Sequence, residues 1–206
     1  SSRDSGQTFA NVKFTPALHI TSPNIEIFEP DYQTVYFHTI GENSYGHLYR
    51  ANGKGTHFQL SLRSISHDAN GNCDLQRVSS LRGVYLANYV TSDADLQNEP
   101  LDRYSNGSQS SWNRDETTTT TVITYDNGST WHPLPTTTDD KDQDSQQPCS
   151  ESSSCNLHIH TDSTHAKFQP LSSPSNASGL ILANGNQGTS LVQDADTTRT
   201  YMSTDA

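Results

Sequence analysis

One short sequence pattern occurs twice in complete form and constrains the fold more than any other feature. It reads hydroxyl residue, any residue, Asp, any residue, Gly, any residue, Thr, aromatic residue. The Asp carboxylate can accept hydrogen bonds from nearby backbone amides, and the Gly supplies a positive backbone φ that other residues resist. The pattern therefore predicts a structural hairpin turn, the Asp box, with no catalytic group of its own. The complete copies comprise Ser2, Asp4, Gly6, Thr8 and Phe9, and then Thr124, Asp126, Gly128, Thr130 and Trp131.

Two partial copies of the pattern give the chain a repeat. A degenerate copy over 51–58 keeps Gly55 and Phe58, and a fourth begins with Ser203 and Asp205 beside the last residue. Gly6 and Gly55 are 49 residues apart, which matches the roughly 40 to 50 residues of one β-propeller blade. The later intervals are longer and require inserted loops. We expect Asp4, Asp126 and Asp205 to organise turns, with Phe9 and Trp131 buried beneath them.

The stretches between these turns favour short β-strands. They are rich in β-branched or aromatic residues and are bounded by Gly, Asn, Asp or Pro, and none shows sustained helical periodicity. We therefore predict an all-β chain. The predicted strands are Thr34–Thr39, His57–Leu62, Gly83–Val90, Thr118–Tyr125, Asn156–His160 and Gly179–Ala183.

Two polar stretches interrupt this pattern, and we interpret both as exposed loops. One covers residues 91–116. The other covers 135–155 and contains an acidic run at Asp139, Asp140, Asp142 and Asp144. Neither contains enough apolar residues to contribute to a core. The acidic run lacks the spacing of a calcium loop, and we predict a solvated acidic loop there.

Composition limits the partners and the compartment. The net charge of −11 argues against nucleic acid or an anionic membrane surface as the partner. No stretch is long and apolar enough to span a membrane. We do not expect a signal peptide at the N-terminus, because Ser1 already adjoins an Asp box. Three N-glycosylation acceptor sequences favour a secreted or luminal protein, and they begin at Asn106, Asn127 and Asn176.

The three cysteines are consistent with an oxidising compartment. Cys149 and Cys155 flank a small Ser-rich loop and can close it as a local disulfide. Cys73 is then left over, either as a thiol or as a bridge to another chain.

The remaining candidate sites are weak. His158 and His160 are two residues apart on a predicted strand, so they share one face, but no third metal ligand has suitable spacing. We predict no metal site and interpret both as hydrogen-bonded or solvent-facing histidines. The stretch 185–190 lacks the Lys of a phosphate-binding loop. No nucleophile elbow or catalytic triad can be defended from the spacing, so we predict no enzymatic activity and no required cofactor.

Several motifs together resemble the luminal domain of sortilin-type sorting receptors. The resemblance extends over essentially the whole chain, apart from the two inserted loops. Its most specific motifs are Val78–Tyr85, Thr124–Trp131, Cys155–His160 and Gly179–Gly188, preceded by Gly46–Tyr49 and Gly55–Phe58.

The resemblance implies a ten-bladed Asp-box propeller, of which this chain would supply about three blades. Residues 1–9 would end a preceding blade, and 10–60 would form the next. Residues 61–134 would form a blade with its inserted loop at 91–116, and 135–206 an acidic disulfide loop and an incomplete blade. A partial propeller exposes apolar faces and strand edges. We therefore expect a companion chain or fragment, such as the remainder of a proteolysed precursor, to complete the ring.

The resemblance also implies a peptide-binding tunnel and a non-catalytic binding function. Its inner strand would be Asn24, Ile25, Glu26 and Ile27, where Glu26 stands in place of a small polar residue and disfavours a peptide carboxylate. Ordinary packing of Ile25 and Ile27 is the alternative. Two other functional classes stay open at this point. One is a secreted carrier or structural protein that holds an apolar ligand, either a lipid or a pigment such as a carotenoid. The other is a sialidase-like glycosidase, which ranks lower because the arginines show no hub arrangement.

Overall fold

A computed structural model describes most of the chain, and every described residue lies in a strand, a turn or irregular structure. For residues 25–31 and 34–40 only the backbone is described. The all-β prediction is confirmed over these ranges. The described residues are 6–9, 11–15, 25–31, 34–40, 45–51, 56–67, 72–91, 118–136, 155–161 and 171–205.

The strands form one nine-stranded sheet and one three-stranded sheet. The nine-stranded sheet divides into two blades at the single residue pair Ile65–Tyr89, so the chain forms three successive blades of a partial β-propeller. Blade 1 comprises β2 (Ile25–Asp31), β3 (Thr34–Ile40), β4 (Tyr45–Ala51) and β5 (His57–Ser66), and the short strand β1 (Lys13–Thr15) runs parallel to β5. Blade 2 comprises β6 (Leu75–Arg77), β7 (Tyr85–Thr91), β8 (Thr118–Thr124) and β9 (His132–Pro133). Blade 3 comprises β10 (Asn156–Ile159), β11 (Ile181–Gly188) and β12 (Arg199–Ser203).

Blade 2 is buried on both faces because β7 carries apolar residues at successive positions. Successive side chains of a strand point to opposite faces. Tyr85 and Ala87 pack toward blade 1 with Leu48 and Ile65, whereas Leu86 packs toward blade 3. The core therefore consists of layers between blades. The layer between blades 2 and 3 contains Val78, Val84, Leu86, Ile123, Ile159, Leu171, Ile181 and Ala183.

Blades 2 and 3 contain a sequence repeat whose role the structure explains. Residues 83–88 and 179–184 both begin with Gly and end with Leu-Ala-Asn. Gly83 and Gly179 have nearly the same φ, 77° and 78°. A Cβ at Gly83 would lie 3.2 Å from the Asn127 side chain, and one at Gly179 would lie 3.0 Å from the Thr204 carbonyl oxygen. Each glycine thus lets the Asp-box turn of its own blade approach the backbone.

The structure extends the strand predictions and shifts some bounds. All six predicted strands are present. Five further strands were not predicted: β1 and β9 are only three and two residues long, and polar residues or Gly46 interrupt the patterns of β4, β6 and β12. The predicted boundary between residues 60 and 61 falls inside β5, which runs unbroken to Ser66. The predicted exposed loops lie almost wholly outside the described residues, as does the acidic run.

Candidate functional site

The Asp box at residues 124–131 has the hydrogen bonding that its sequence predicts. Asp126 Oδ1 accepts from the backbone N–H groups of Ser129 at 2.8 Å and Thr130 at 2.9 Å. Asp126 Oδ2 accepts from the Thr130 hydroxyl at 2.8 Å, and the Thr124 hydroxyl donates to Oδ1 at 2.8 Å. The Gly128 N–H donates to the Thr124 oxygen at 2.9 Å. One carboxylate thus closes the whole turn.

These bonds favour the ionised form of Asp126. Partial burial alone would raise the pKa of its carboxyl group, but hydrogen bonds from Thr130, Thr124 and Ser129 outweigh that effect and lower the pKa to about 2. Hydrogen bonds to the charged form lower a carboxyl pKa in this way. Asp126 is therefore ionised at neutral pH, so it accepts protons in hydrogen bonds and does not supply one.

The same turn is fastened to blade 1, a contact that the sequence analysis missed. Arg50 Nη1 on β4 donates to the carbonyl oxygens of Asp126 at 3.1 Å and Asn127 at 3.2 Å, and it also bonds the Ser129 hydroxyl. Ser61 on β5 donates to the Gly128 carbonyl oxygen at 2.6 Å. The Asp box of blade 2 therefore helps to hold two neighbouring blades together.

The aromatic residues of the two complete Asp boxes differ in burial. Trp131 is partly buried against the layer between blades 1 and 2, and its indole N–H donates to Ser61 Oγ at 3.1 Å. Phe9 is 81% exposed, so the prediction that it is buried is wrong.

The outer Asp-box copies are described only in part. Ser203 Oγ donates to Asp205 Oδ1 at 3.3 Å, which repeats the Thr124–Asp126 contact. Gly6 has the expected positive φ, 89°, and Thr8 is exposed. Ser2 and Asp4 lie outside the described residues, so their role stays a prediction.

A second polar cluster lies fully buried between blades 2 and 3. The Thr121 hydroxyl donates to Asn88 Oδ1 at 2.5 Å, and both side chains have no exposed area. Asn88 Nδ2 donates to the Ile159 carbonyl oxygen at 3.1 Å, while the Ile159 N–H donates to Thr121 Oγ1 at 2.9 Å. The Asn–Thr pair of blade 2 therefore binds both backbone groups of one residue in the first strand of blade 3.

The predicted histidine pair belongs to this buried junction. His158 Nδ1 accepts from the Thr121 N–H at 3.2 Å, and its Nε2 lies 3.1 Å from the Gly188 carbonyl oxygen. Burial lowers the pKa of His158, against the effect of the Gly188 carbonyl. His160 is also buried, so the solvent-facing interpretation is wrong for both. Within the ranges given above, no three His, Cys, Asp or Glu residues group together in a way that could hold a metal ion.

A cleft of about 670 Å³ lies beside β5, β7 and β8. Its volume is in the range of pockets that bind small molecules or peptide side chains. The lining combines a guanidinium group, two aromatic rings and aliphatic side chains, and the bond to Ser61 fixes the indole ring in the wall. The main lining residues are Leu60, Leu62, Arg63, Tyr89, Val122 and Trp131.

For the ligand strip predicted at residues 24–27, the structure describes only the backbone of residues 25–27. Ile25, Glu26 and Ile27 lie in β2, the first strand of blade 1, and Glu26 is in register with His38 of β3. Asn24 lies outside the described residues. The ligand role of the strip stays a prediction.

The structure describes some, but not all, residues of the predicted disulfide and glycosylation sites. Cys155 is disulfide-bonded and Cys73 is a buried thiol, but Cys149 lies outside the described residues, so the pairing stays a prediction. Asn176 is exposed in a turn. Asn127 has a φ of 57° and its N–H donates to the Gly83 carbonyl oxygen at 3.0 Å. Asn106 is not among the described residues.

Comparison with known proteins gives one consistent family. A family model described as sortilin, neurotensin receptor 3, matches residues 1–206. Vacuolar protein sorting/targeting protein 10 of Leptosphaeria maculans is 29% identical over 209 residues, covering 98% of this chain and 13% of that protein. The protein of the same name in Laccaria bicolor is 28% identical over 205 residues, with the same coverage. The chain thus spans about 13% of the length of these curated relatives. The described part of the chain has no helix long and apolar enough to cross a membrane.

Proposed function

Because the chain belongs to the sortilin and Vps10 family, we propose that it is a non-catalytic, ligand-binding segment of a luminal β-propeller. The family model covers every residue of the chain, and the named relatives are vacuolar sorting or targeting proteins. A luminal location in the secretory pathway is part of this proposal. The two sequons whose asparagines are described, at Asn127 and Asn176, are compatible with it.

The cleft beside β5, β7 and β8 is the observation that carries the proposal. Its lining includes one cationic group, Arg63, together with the rings of Tyr89 and Trp131. Aromatic and apolar walls with a few fixed polar groups are typical of ligand sites. A guanidinium group binds carboxylates in a planar, bidentate manner. We therefore propose a peptide or protein ligand that places an apolar side chain and a nearby carboxylate in this cleft.

Completion by further polypeptide is the second part of the proposal. The outer face of blade 3 exposes Leu182 at 38% and Met202 at 67%. These residues are cross-strand neighbours in β11 and β12, so they form one apolar patch. Repeat units normally bury such a face against the next unit. The occupant would come from a companion chain or from another part of the same protein.

Selection of peptides on immobilised protein tests the binding function. A random peptide library is passed over the chain, and bound peptides are sequenced by mass spectrometry. The proposal predicts enrichment of sequences that combine an apolar residue with Asp or Glu. Arg63→Gln should abolish that enrichment, whereas Arg77→Gln, a matched change at an exposed residue outside the cleft, should preserve it.

Two outcomes would contradict the proposal. Enrichment that is equal in Arg63→Gln would exclude the cleft as the binding site. A stoichiometric lipid or pigment, found by absorption and by mass spectrometry of an organic extract, would favour the carrier function instead. Release of sialic acid from a glycoprotein substrate would favour the glycosidase.

A further inference from the structure

We infer that the folded chain carries an N-linked glycan on Asn176 and none on Asn127. Both asparagines begin an N-glycosylation consensus sequence, in residues 176–178 and 127–129. The inference rests on the luminal location proposed above, and it goes further because it assigns a covalent modification to one of two equivalent sequences. The fold gives these two sequences different surroundings.

Asn176 lies at the tip of a loop whose base is fixed by hydrogen bonds. Ser172 and Leu182 exchange two backbone hydrogen bonds of 2.8 Å, which close the loop. The Ser79 N–H of blade 2 donates to Ser173 Oγ at 2.7 Å. Asn176 itself and both residues before it are exposed. The loop is therefore held to blades 2 and 3 at its base and presents its tip to solvent.

Two consecutive turns present the acceptor sequence at this tip. The Ala177 N–H donates to the Pro174 carbonyl oxygen at 3.0 Å, and the Leu180 N–H donates to the Ala177 carbonyl oxygen at 3.1 Å. Gly179 is the third residue of the second turn and has a φ of 78°, a conformation that favours Gly there. Ser178, which supplies the consensus hydroxyl, is exposed. The bonds that form the turns use backbone groups only, so they do not engage the asparagine amide or the serine hydroxyl.

The other consensus sequence is part of the Asp box of blade 2. The Asn127 N–H donates to the Gly83 carbonyl oxygen at 3.0 Å, and the Asn127 carbonyl oxygen accepts from Arg50 Nη1 at 3.2 Å. Asn127 Nδ2, the atom to which a glycan would be joined, lies 3.2 Å from the position of a Cβ on Gly83. The Ser129 hydroxyl donates to the Asp126 carbonyl oxygen at 3.1 Å and also bonds Arg50. The backbone, the amide and the hydroxyl of this consensus are therefore all in contact with other parts of the fold.

Glycan transfer requires an accessible asparagine amide and room for the sugar. The asparagine Nδ2 forms a bond to the anomeric carbon of a lipid-linked oligosaccharide diphosphate, the glycan donor of the secretory lumen, and releases one proton to water. The bond from that carbon to the diphosphate oxygen breaks, and the diphosphate leaves with the lipid. A bulky surface glycan fits at Asn176 because the residue is exposed. At Asn127 the sugar would displace the amide from Gly83 and open the turn, so the glycan and the fold are incompatible there.

Site-specific mass spectrometry provides the assay. The chain is expressed behind a cleavable signal sequence in eukaryotic cells, and the luminal and secreted protein is collected. Peptide N-glycosidase in heavy-oxygen water converts each glycosylated Asn to an Asp that contains the heavy isotope. A parallel digest without the enzyme corrects for spontaneous deamidation. The fraction that resists mild proteolysis represents the folded protein.

We predict that Asn176 is modified in most of the luminal chains, and that Asn127 is unmodified in the protease-resistant fraction. Ser178→Ala removes the consensus hydroxyl and should abolish the signal at Asn176. Ser175→Ala, the same change at a neighbouring exposed residue outside the consensus, should leave that signal intact. Asn127→Gln should not change the number of glycans on the protease-resistant chain.

An unmodified Asn176 in the total luminal protein would overturn the inference, whatever the yield of folded chain. Equal modification of Asn127 and Asn176 in the protease-resistant fraction would also overturn it. A glycan on Asn176 in the signal-bearing chain, but not in protein isolated from its natural source, would support the site and refute only the proposed luminal location. Peptide selection through Arg63 does not need the glycan, so it tests the binding function separately.

Discussion

Replacing Thr121 by Val tests the buried junction between blades 2 and 3. The change keeps the side-chain volume but replaces the hydroxyl with a methyl group. The Ile159 N–H then loses its acceptor, which is 2.9 Å away, and Asn88 Oδ1 loses its donor. Both groups are buried, so water cannot replace the lost partner. A buried polar group left without a partner costs about 1 to 3 kcal/mol, and we expect a total loss of about 3 kcal/mol.

The equivalent residue in the next blade supplies the matched control. Thr200→Val makes the same chemical change in the equivalent cross-strand Thr–Asn pair of blade 3, but Thr200 is exposed. Exposed substitutions of this kind change the free energy of unfolding by less than about 0.5 kcal/mol. Urea unfolding at low protein concentration, followed by tryptophan fluorescence, measures both variants against the parent. Equal losses in the two variants, or no loss in Thr121→Val, would refute this explanation of the junction.

Three further predictions follow from local geometry. Acidification should lower stability, since burial and then the charge of Arg63 lower the pKa of His47 to about 4 from 6.5. The unfolded chain therefore binds a proton that the native state excludes as the pH falls from about 6.5 to 4, at a cost of about 3 kcal/mol. Urea midpoints should fall less steeply with decreasing pH in His47→Gln than in the parent, with a remaining contribution from His158, and an unchanged slope would contradict the assignment. Gly185→Ala would place a Cβ 1.9 Å from the His158 carbonyl oxygen, whereas Gly188→Ala meets its nearest atom at 3.4 Å. Circular dichroism melts should show a much larger loss for Gly185→Ala, and equal melting would argue against the β10–β11 pairing. Asp126→Ala should cost about 1 kcal/mol, because the Ser129 and Thr130 amides that lose their acceptor are exposed and can bond water. A parent-like urea midpoint would show that the carboxylate does not hold the turn.

The turns and many of the strands were predictable because the residues that determine them are close together in the sequence. Asp126 bonds residues three and four positions away, so an eight-residue pattern contains the whole turn. The β-branched run of β8 and the alternation of β3 are equally visible in short windows. The family resemblance rests on the same local motifs.

The contacts between blades were not predictable, because their partners are far apart in sequence. Arg50 bonds Asp126 across 76 residues, and Thr121 binds Ile159 across 38. Nothing near Arg50 distinguishes it from an ordinary exposed arginine. The Leu-Ala-Asn repeat at the ends of 83–88 and 179–184 marks Asn88 as a repeated position in the sequence. The hydrogen-bonding role of Asn88, however, depends on Thr121 in the opposite strand. At Phe9 the local pattern was misleading, because it predicted a buried ring. The aromatic residue of the motif is buried only where another part of the protein covers it.

Hydrogen exchange at the Ile159 amide tests most directly the central claim that the Asn88–Thr121 pair of blade 2 fastens blade 3 to it. This N–H donates to the side chain of Thr121 in the preceding blade, whereas the Leu157 N–H donates to the Leu134 carbonyl oxygen. We predict slow exchange at Ile159 in the parent and fast exchange in Thr121→Val, with Leu157 unchanged as the internal reference. Fast exchange at Ile159 in the parent, or slow exchange that survives Thr121→Val, would contradict the claim.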